Sequence, residues 1–180
     1  MYTYRTYSPA QPLSAHKAVQ VMRIMEEAFP PSERRIPSGQ YALLDHPRYS
    51  VRALEQDGKI IAFMAVWNLP SVTFLEHFAV DAACRSEGIG GKMLEKLRAE
   101  SARLVLEVEL PTDELTRRRI AFYRRHGMHL NEREYAQMPL RAGDMPVPMY
   151  LMSSPDELNA EEFVRVRREI YRHVYGLTEI

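Results

Sequence analysis

Apolar and polar positions alternate in several short runs along the chain, and between those runs apolar residues recur at three and four. The first pattern predicts strands and the second predicts helices. Residues 2–7 read as a short first strand. Ser14 caps a helix over 15–29 with Ala18, Met22, Met25 and Phe29 on one face, and Pro30-Pro31 stops it. Segments 32–37 and 40–45 each suggest a helical turn. Strands over 48–54 and 60–67 are joined by Asp57-Gly58, a hairpin dipeptide. Pro70 breaks the run before an alternating strand over 72–80. A helix over 90–102 and a strand over 103–110 follow. Asp113 or Thr112 caps a helix that runs to His126, and Gly127 suits its end. Strands over 129–138 and 147–152 come next, joined through a Gly- and Pro-containing loop at 142–146. Ser154-Pro155-Asp156 reads as a helix start, and 161–175 as an amphipathic helix with Phe163, Val166, Ile170 and Val174 on its apolar side. Early helices, a strand meander, strand–helix–strand–helix and a last hairpin predict an α/β (mixed α+β) fold. Its core is a twisted mixed sheet of six to seven strands flanked by helices. The expected division is a domain over 1–153 and a C-terminal helical extension over 154–180, packed on that domain or in a dimer contact.

Composition narrows the function classes. The 180 residues suit one domain with a proper core. Twenty-four basic and 24 acidic side chains balance, so neither a nucleic-acid nor a membrane footprint is present. One cysteine, Cys84, excludes an internal disulfide framework and points to a reducing cytoplasm. No run reaches the length of a membrane span, and no His/Cys pattern calls for a metal.

The densest information lies at Val80-Asp-Ala-Ala-Cys-Arg85-Ser-Glu-Gly88-Ile-Gly90-Gly91-Lys92. A strand runs into a Gly-rich loop and then into a helix start, which together make an anion seat: backbone N–H groups and the helix dipole face the ligand. The P-loop pattern fails because Met93 follows Lys92 where a hydroxyl is needed. The dinucleotide pattern fails because Met93 also stands where its last glycine belongs. What remains is Arg-x-x-Gly-x-Gly directly after a strand, which resembles the acetyl-CoA pyrophosphate loop of the GNAT superfamily of N-acetyltransferases. A second motif, Ala121-Phe122-Tyr123 through Gly127-Met128, resembles that family's later helix, and the resemblance spans about 41–151. It is closest in look to bacterial members of unassigned substrate.

The resemblance implies acetyl-CoA as cosubstrate, with no metal, and transfer of its acetyl group to a primary amine by direct attack in a ternary complex. It implies cofactor contacts from Phe78, Ala79 and Val80 on the strand. Arg85, Ser86, Gly88, Ile89, Gly90, Gly91 and Lys92 would add theirs from the loop and helix start, and Arg125 and Phe122 from the second helix, Phe122 being more a core residue and Arg125 equally a solvated helix-end charge. A backbone N–H over 78–80 is the expected oxyanion donor, and such a donor is worth ~2.7–4 kcal/mol in the transition state. An alkyl amine with a pKa near ~10.4 is almost wholly protonated at neutral pH, so a base matters. Glu76 is the first candidate, on the face shared by Phe74, Phe78 and Val80, where burial would raise its pKa. The alternative is that Glu76 pairs with an arginine or binds the substrate ammonium. Glu107 is the second candidate base and His77 the third. Tyr123 is the expected acid for the CoA thiolate, or else a wall for the pantetheine. Thr116 stands where many relatives carry Asn, which removes one expected polar contact. Cys84 has no visible base and reads as incidental.

The acceptor pocket is expected from 31–37 through Tyr41 and from about 137–150. Glu107 and Glu109 share a strand face and either form an acidic patch that favours a cationic small molecule, amino acid or peptide amine, or are solvated residues near a strand end. Two other classes stay open on the same fold: a CoA-thioester-binding sensor without turnover, and a dimeric interaction module.

Overall fold

The computed structural model describes residues 1–85 and 87–178. Among them run seven strands and five α-helices: β1 (Tyr2–Tyr7), α1 (Ala15–Ala28), α2 (Pro37–Ala42), β2 (Tyr49–Gln56), β3 (Lys59–Asn68), β4 (Thr73–Val80), α3 (Ile89–Glu100), β5 (Leu104–Glu109), α4 (Glu114–Arg125), β6 (His129–Gln137), β7 (Val147–Ser154) and α5 (Ala160–His173). Short 3-10 turns lie at Pro31–Glu33, Leu43–Asp45 and Ala82–Cys84. The strands form one sheet in the order β1-β2-β3-β4-β5-β7-β6, the seven-stranded end of the expected range. Two compact units divide the contacts: Met1–Trp67 with Leu75–Met93, and Asn68–Phe74 with Leu94–Ile180. Strand β4 and helix α3 each contribute to both.

In the first unit, β1, β2 and β3 pair antiparallel, with a register shift between Leu54 and Glu55. Residues 60–67 of β3 are all buried, so this strand is covered on both faces and shows no alternation. Ser14 caps α1 by accepting the Lys17 N–H. The buried face of α1 is Ala18, Val21, Ile24 and Met25, rotated from the expected one: Val21 and Ile24 turn inward, while Met22 and Phe29 are half-buried. Gln20 Oε1 fixes this rotation by accepting the Ile60 N–H of β3 at 2.7 Å. Glu55, buried in the sheet, is neutralised by Lys17 Nζ at 2.7 Å and also accepts the Tyr7 hydroxyl.

In the second unit, β7 pairs antiparallel with both β5 and β6. Buried Asn131 ties this pairing to the segment beyond it. Its Nδ2 donates to the Leu151 carbonyl (3.2 Å) and Ser153 Oγ (3.0 Å), and its Oδ1 accepts the Leu158 N–H (2.7 Å). Strand β7 extends to Ser154, opposite Leu104, so the last helix starts later than Ser154-Pro155-Asp156 suggests. Asn159 caps it in a capping box with Glu162. Phe163, Val166, Ile170 and Tyr171 on α5 are buried, and Val174 just past it is buried too. Glu169 on the same helix accepts the Ser71 N–H at 3.0 Å.

Candidate active site

The Gly-rich loop leaves β4 at Val80. Asp81 donates its N–H to the Ile61 carbonyl at 2.8 Å, and its carboxylate accepts the Ala83 N–H at 3.0 Å. Arg23 of α1 bonds the same carboxylate. These contacts root the loop while its tip stays exposed. Arg85 is exposed, with Nε donating to the Val80 carbonyl at 3.3 Å. Ser86 lies outside the described residues. Gly88 has φ +71°, a left-handed value that disfavours any side chain, and no atom lies within 4 Å of where its Cβ would stand. Helix α3 starts at once with Ile89, and Lys92 makes its first-turn bond to the Gly88 carbonyl at 3.2 Å. The N–H groups of Ile89, Gly90 and Gly91 therefore have no intrahelical acceptor. Ile89 and Gly91 are buried and Gly90 half-buried, while Lys92 is exposed. The fit to a diphosphate is good: an uncrowded left-handed glycine, a helix start and an exposed guanidinium in seven residues. Cys84 is half-buried, and burial with Asp81 and Glu87 pushes its thiol up, away from the thiolate a nucleophile needs.

Glu76 sits earlier on β4 in a closed polar cluster. Its side chain is 1 % exposed. Arg35 Nη1 donates to Oε1 at 2.5 Å, and Trp67 Nε1 donates to Oε2 at 2.8 Å. The guanidinium carbon lies 5.9 Å from the Trp67 ring centroid, and Tyr49 meets that ring edge-on at 5.3 Å. Burial alone pushes the Glu76 carboxyl up, but the Arg35 guanidinium, with His77 where acid protonates it and the Trp67 N–H, outweighs it. The carboxyl is therefore held below the usual range, opposite to the upward shift that burial predicts for an isolated base. His77, on the other face, is 3 % exposed. Its Nε2–H donates to the Glu33 carbonyl at 2.7 Å, which leaves Nδ1 as the bare nitrogen, 3.8 Å from Glu76 Oε2. Burial lowers the His77 pKa and keeps the ring neutral at pH 7. Half-buried Phe78 and Val80 flank buried Ala79 on the same strand.

Tyr41, on α2, is 39 % exposed and lines a small, mostly apolar pocket with Leu13, Met22, Gln40, Leu44 and Tyr49.

In the second unit, Tyr123 projects from α4. Burial pushes its phenol up to about 12, with Arg119 acting against the rise and Glu109 adding to it. Among the described residues no hydrogen bond engages its hydroxyl. Phe122 packs edge-on to Tyr123 at 5.3 Å and on His126 at 4.7 Å. Arg125 is exposed. Thr116 is spent on its own helix: its N–H donates to Asp113 Oδ1 at 2.8 Å, and its hydroxyl accepts the Asp113 N–H at 3.2 Å. Gly127, at φ +77°, closes α4 over the Arg98 guanidinium.

The two acidic residues of β5 are already partnered. Glu109 is ion-paired with Arg119. Glu107 accepts the Tyr135 hydroxyl and Gln137 Nε2 (3.2 Å), and the Tyr175 hydroxyl lies 2.9 and 3.0 Å from its two oxygens. They make no open acidic patch.

From the sequence, Arg35 falls in the acceptor segment with no named partner, and Trp67, Tyr135 and Tyr175 carry no visible role. No periodic signal links residues 35 and 76, which meet only through the chain's path. The single tryptophan, next to the last residue of β3, is the one available hint.

The family model described as "Acetyltransferase (GNAT) family" matches residues 18–128. YjbC of Bacillus subtilis (strain 168), provisionally named an acetyltransferase, is 27% identical over 155 residues, covering 84% of this chain and 79% of YjbC. A solved structure from Bacteroides thetaiotaomicron, provisionally named a GNAT-family acetyltransferase, superposes with TM-score 0.87 at 31% identity over 98% of this chain and 99% of its own. A GNAT family acetyltransferase from Elizabethkingia anophelis, solved with acetyl-CoA bound, shares the fold at TM-score 0.56 and 14% identity, over 84% of this chain and 96% of its own.

Proposed function

The chain belongs to the acetyltransferase (GNAT) family, and from that premise we propose that it transfers the acetyl group of acetyl-CoA to a primary amine of a small molecule, amino acid or peptide. The observation that carries this reading is the turn at Gly88, whose open left-handed backbone, four residues after the 3-10 turn ends, feeds the first-turn N–H groups of α3, which have no intrahelical acceptor. Those amides, with Arg85, would hold the diphosphate of the cosubstrate. Acetyl-CoA, when bound, supplies an activated acyl carbon and a thiolate leaving group.

This chain's own residues then have three tasks. Backbone N–H groups over 78–80 would steady charge on the acyl oxygen. Glu76 would take a proton from the acceptor ammonium, so that a neutral amine attacks directly with both substrates bound. Tyr123 would hold a proton at its hydroxyl for the departing sulfur. A phenol pushed up to about 12 stays protonated at any working pH, as an acid must. The raised Cys84 thiol fits direct attack rather than an acyl-enzyme.

The test is a panel of primary amines incubated with acetyl-CoA and read as free CoA thiol, alongside melting of the protein with and without acetyl-CoA. A ligand that binds only the folded state raises the melting temperature. Gly90→Glu puts bulk and negative charge at the helix start and should remove that rise. No rise for the unaltered protein at millimolar acetyl-CoA would end the proposal.

A further inference from the structure

Glu76 is sealed by its own chain. Its side chain is 1 % exposed, and the Arg35 side chain bonded to it keeps 11 %. Arg35 comes from the segment between the 3-10 turn at Pro31–Glu33 and α2, the segment expected to shape the acceptor pocket. We infer that Glu76 and Trp67 form a cation subsite for the acceptor's ammonium group, and that Arg35 is its built-in occupant, exchanged for the acceptor rather than simply swung away. The inference rests on the acetyl-transfer reading and adds how that site takes the acceptor amine: as an alkylammonium that displaces Arg35.

The physics of the cluster requires exchange. A carboxylate this buried is strongly penalised when left without a counter-charge. Arg35 leaves at low cost only as another cation arrives. An alkylammonium satisfies this condition, while an alcohol or an anionic acceptor does not. The Trp67 indole supplies an N–H to one oxygen and a ring face for a cation, two features that do not depend on Arg35.

Exchange also makes the proton transfer productive. Arg35 cannot give up a proton at working pH, so while it is bound Glu76 remains an ion-pair partner. An alkylammonium can. One N–H bond breaks, one O–H bond forms on Glu76, and the nitrogen keeps its electron pair. The products are a neutral acid and a neutral amine, which a buried site favours over two charges. The other titratable and charged groups facing Glu76 are His77 on β4 and Tyr49 on β2, with Arg34 acting on His77 from the loop. Neither His77 nor Tyr49 carries charge at pH 7, so Arg35 is the cation that sets the carboxylate's state.

Trp67 is the single tryptophan of the chain and touches both partners, so its fluorescence reads the exchange directly. The full-length protein is titrated at pH 7 and fixed ionic strength with butylammonium chloride, with butanol as the neutral control. Butylammonium should change Trp67 emission saturably and butanol should not. Arg35→Gln should lower the midpoint about tenfold, and Glu76→Gln should abolish the response. The acid titration of Trp67 emission should move up by at least one pH unit in Arg35→Gln, which checks that Arg35 is the charge holding Glu76 down, while the fall in the butylammonium midpoint is the readout that a merely structural arginine would not move. If Arg35→Gln fails to melt cooperatively, Arg35→Lys replaces it, and the midpoint must still fall because the Nη1 contact and the ring stacking are lost. A flat response in both the unaltered protein and the Arg35 variant, or an undiminished response in Glu76→Gln, overturns the inference. Melting with acetyl-CoA on the same samples separates the failures: a retained rise with no amine response sinks the exchange alone, whereas a missing rise sinks the transfer reading.

Discussion

Removing one partner of the Glu76–Arg35 pair should cost far more than removing both. Breaking a buried pair from one side costs about 3–5 kcal/mol, because the surviving charge is left unpaired. The two sides differ here. Arg35 keeps 11 % exposure and can turn toward water, whereas Glu76 at 1 % cannot. Glu76→Gln should therefore fall at the low end, about 3 kcal/mol, or about 6–12 °C in Tm for a domain of this size. Gln is chosen because its carbonyl can still accept the Trp67 N–H. Arg35→Met should fall at the high end at pH 7. The double variant leaves no unpaired charge and should recover most of the loss, ending less than about 3 kcal/mol below the unaltered protein, so the two single losses of about 3 and about 5 kcal/mol together exceed it by about 5 kcal/mol or more. Urea unfolding of the four proteins at pH 7 completes the cycle. The pH dependence supplies a second check. The folded Glu76 pKa lies below its unfolded value, so its contribution is complete above the unfolded pKa, about 4.3. It is lost as pH falls through the folded value. Glu76→Gln should flatten this acid loss. In Arg35→Met burial dominates, the carboxyl moves above its unfolded value, and the penalty should shrink as pH falls from 7 toward 4. A coupling below about 0.5 kcal/mol, or an Arg35→Met penalty independent of pH, would refute the reasoning.

Other positions give simpler outcomes. Tyr123→Phe should lower turnover by about a hundredfold or more while the acetyl-CoA melting shift persists, and equal turnover would remove Tyr123 as the acid. Because its phenol lies at about 12, any fall in rate between pH 8 and 11 should survive in Tyr123→Phe. Gly127→Ala forces a left-handed alanine and brings a methyl to about 3.1 Å from the Arg98 guanidinium; it should cost about 1–2 kcal/mol in urea unfolding. Tyr175→Phe removes a hydroxyl bound to the Glu107 carboxylate and should cost about 1.5 kcal/mol by the same measurement. An unchanged urea midpoint in either variant would refute its assignment.

The order of elements, the phosphate-type loop and the second motif are legible in the residues alone. These are local: strand period, helix period, Gly88 before a helix start and Gly127 at a helix end each act within a few residues. Boundaries moved by little where a cap was readable, as at Ser14 and Asp113. They moved more at Ser154-Pro155-Asp156, where pairing with Leu104 keeps the chain in β7 and delays the helix to Asn159. The state of each carboxylate is legible only once the chain is folded. Glu76, Glu107 and Glu109 look alike as acidic residues on alternating strands, yet Arg35 with Trp67, Tyr135 with Tyr175, and Arg119 respectively engage them. A carboxylate's charge state follows from burial and from partners far along the chain. Composition and periodicity carry no record of which distant side chains the fold brings within 3 Å.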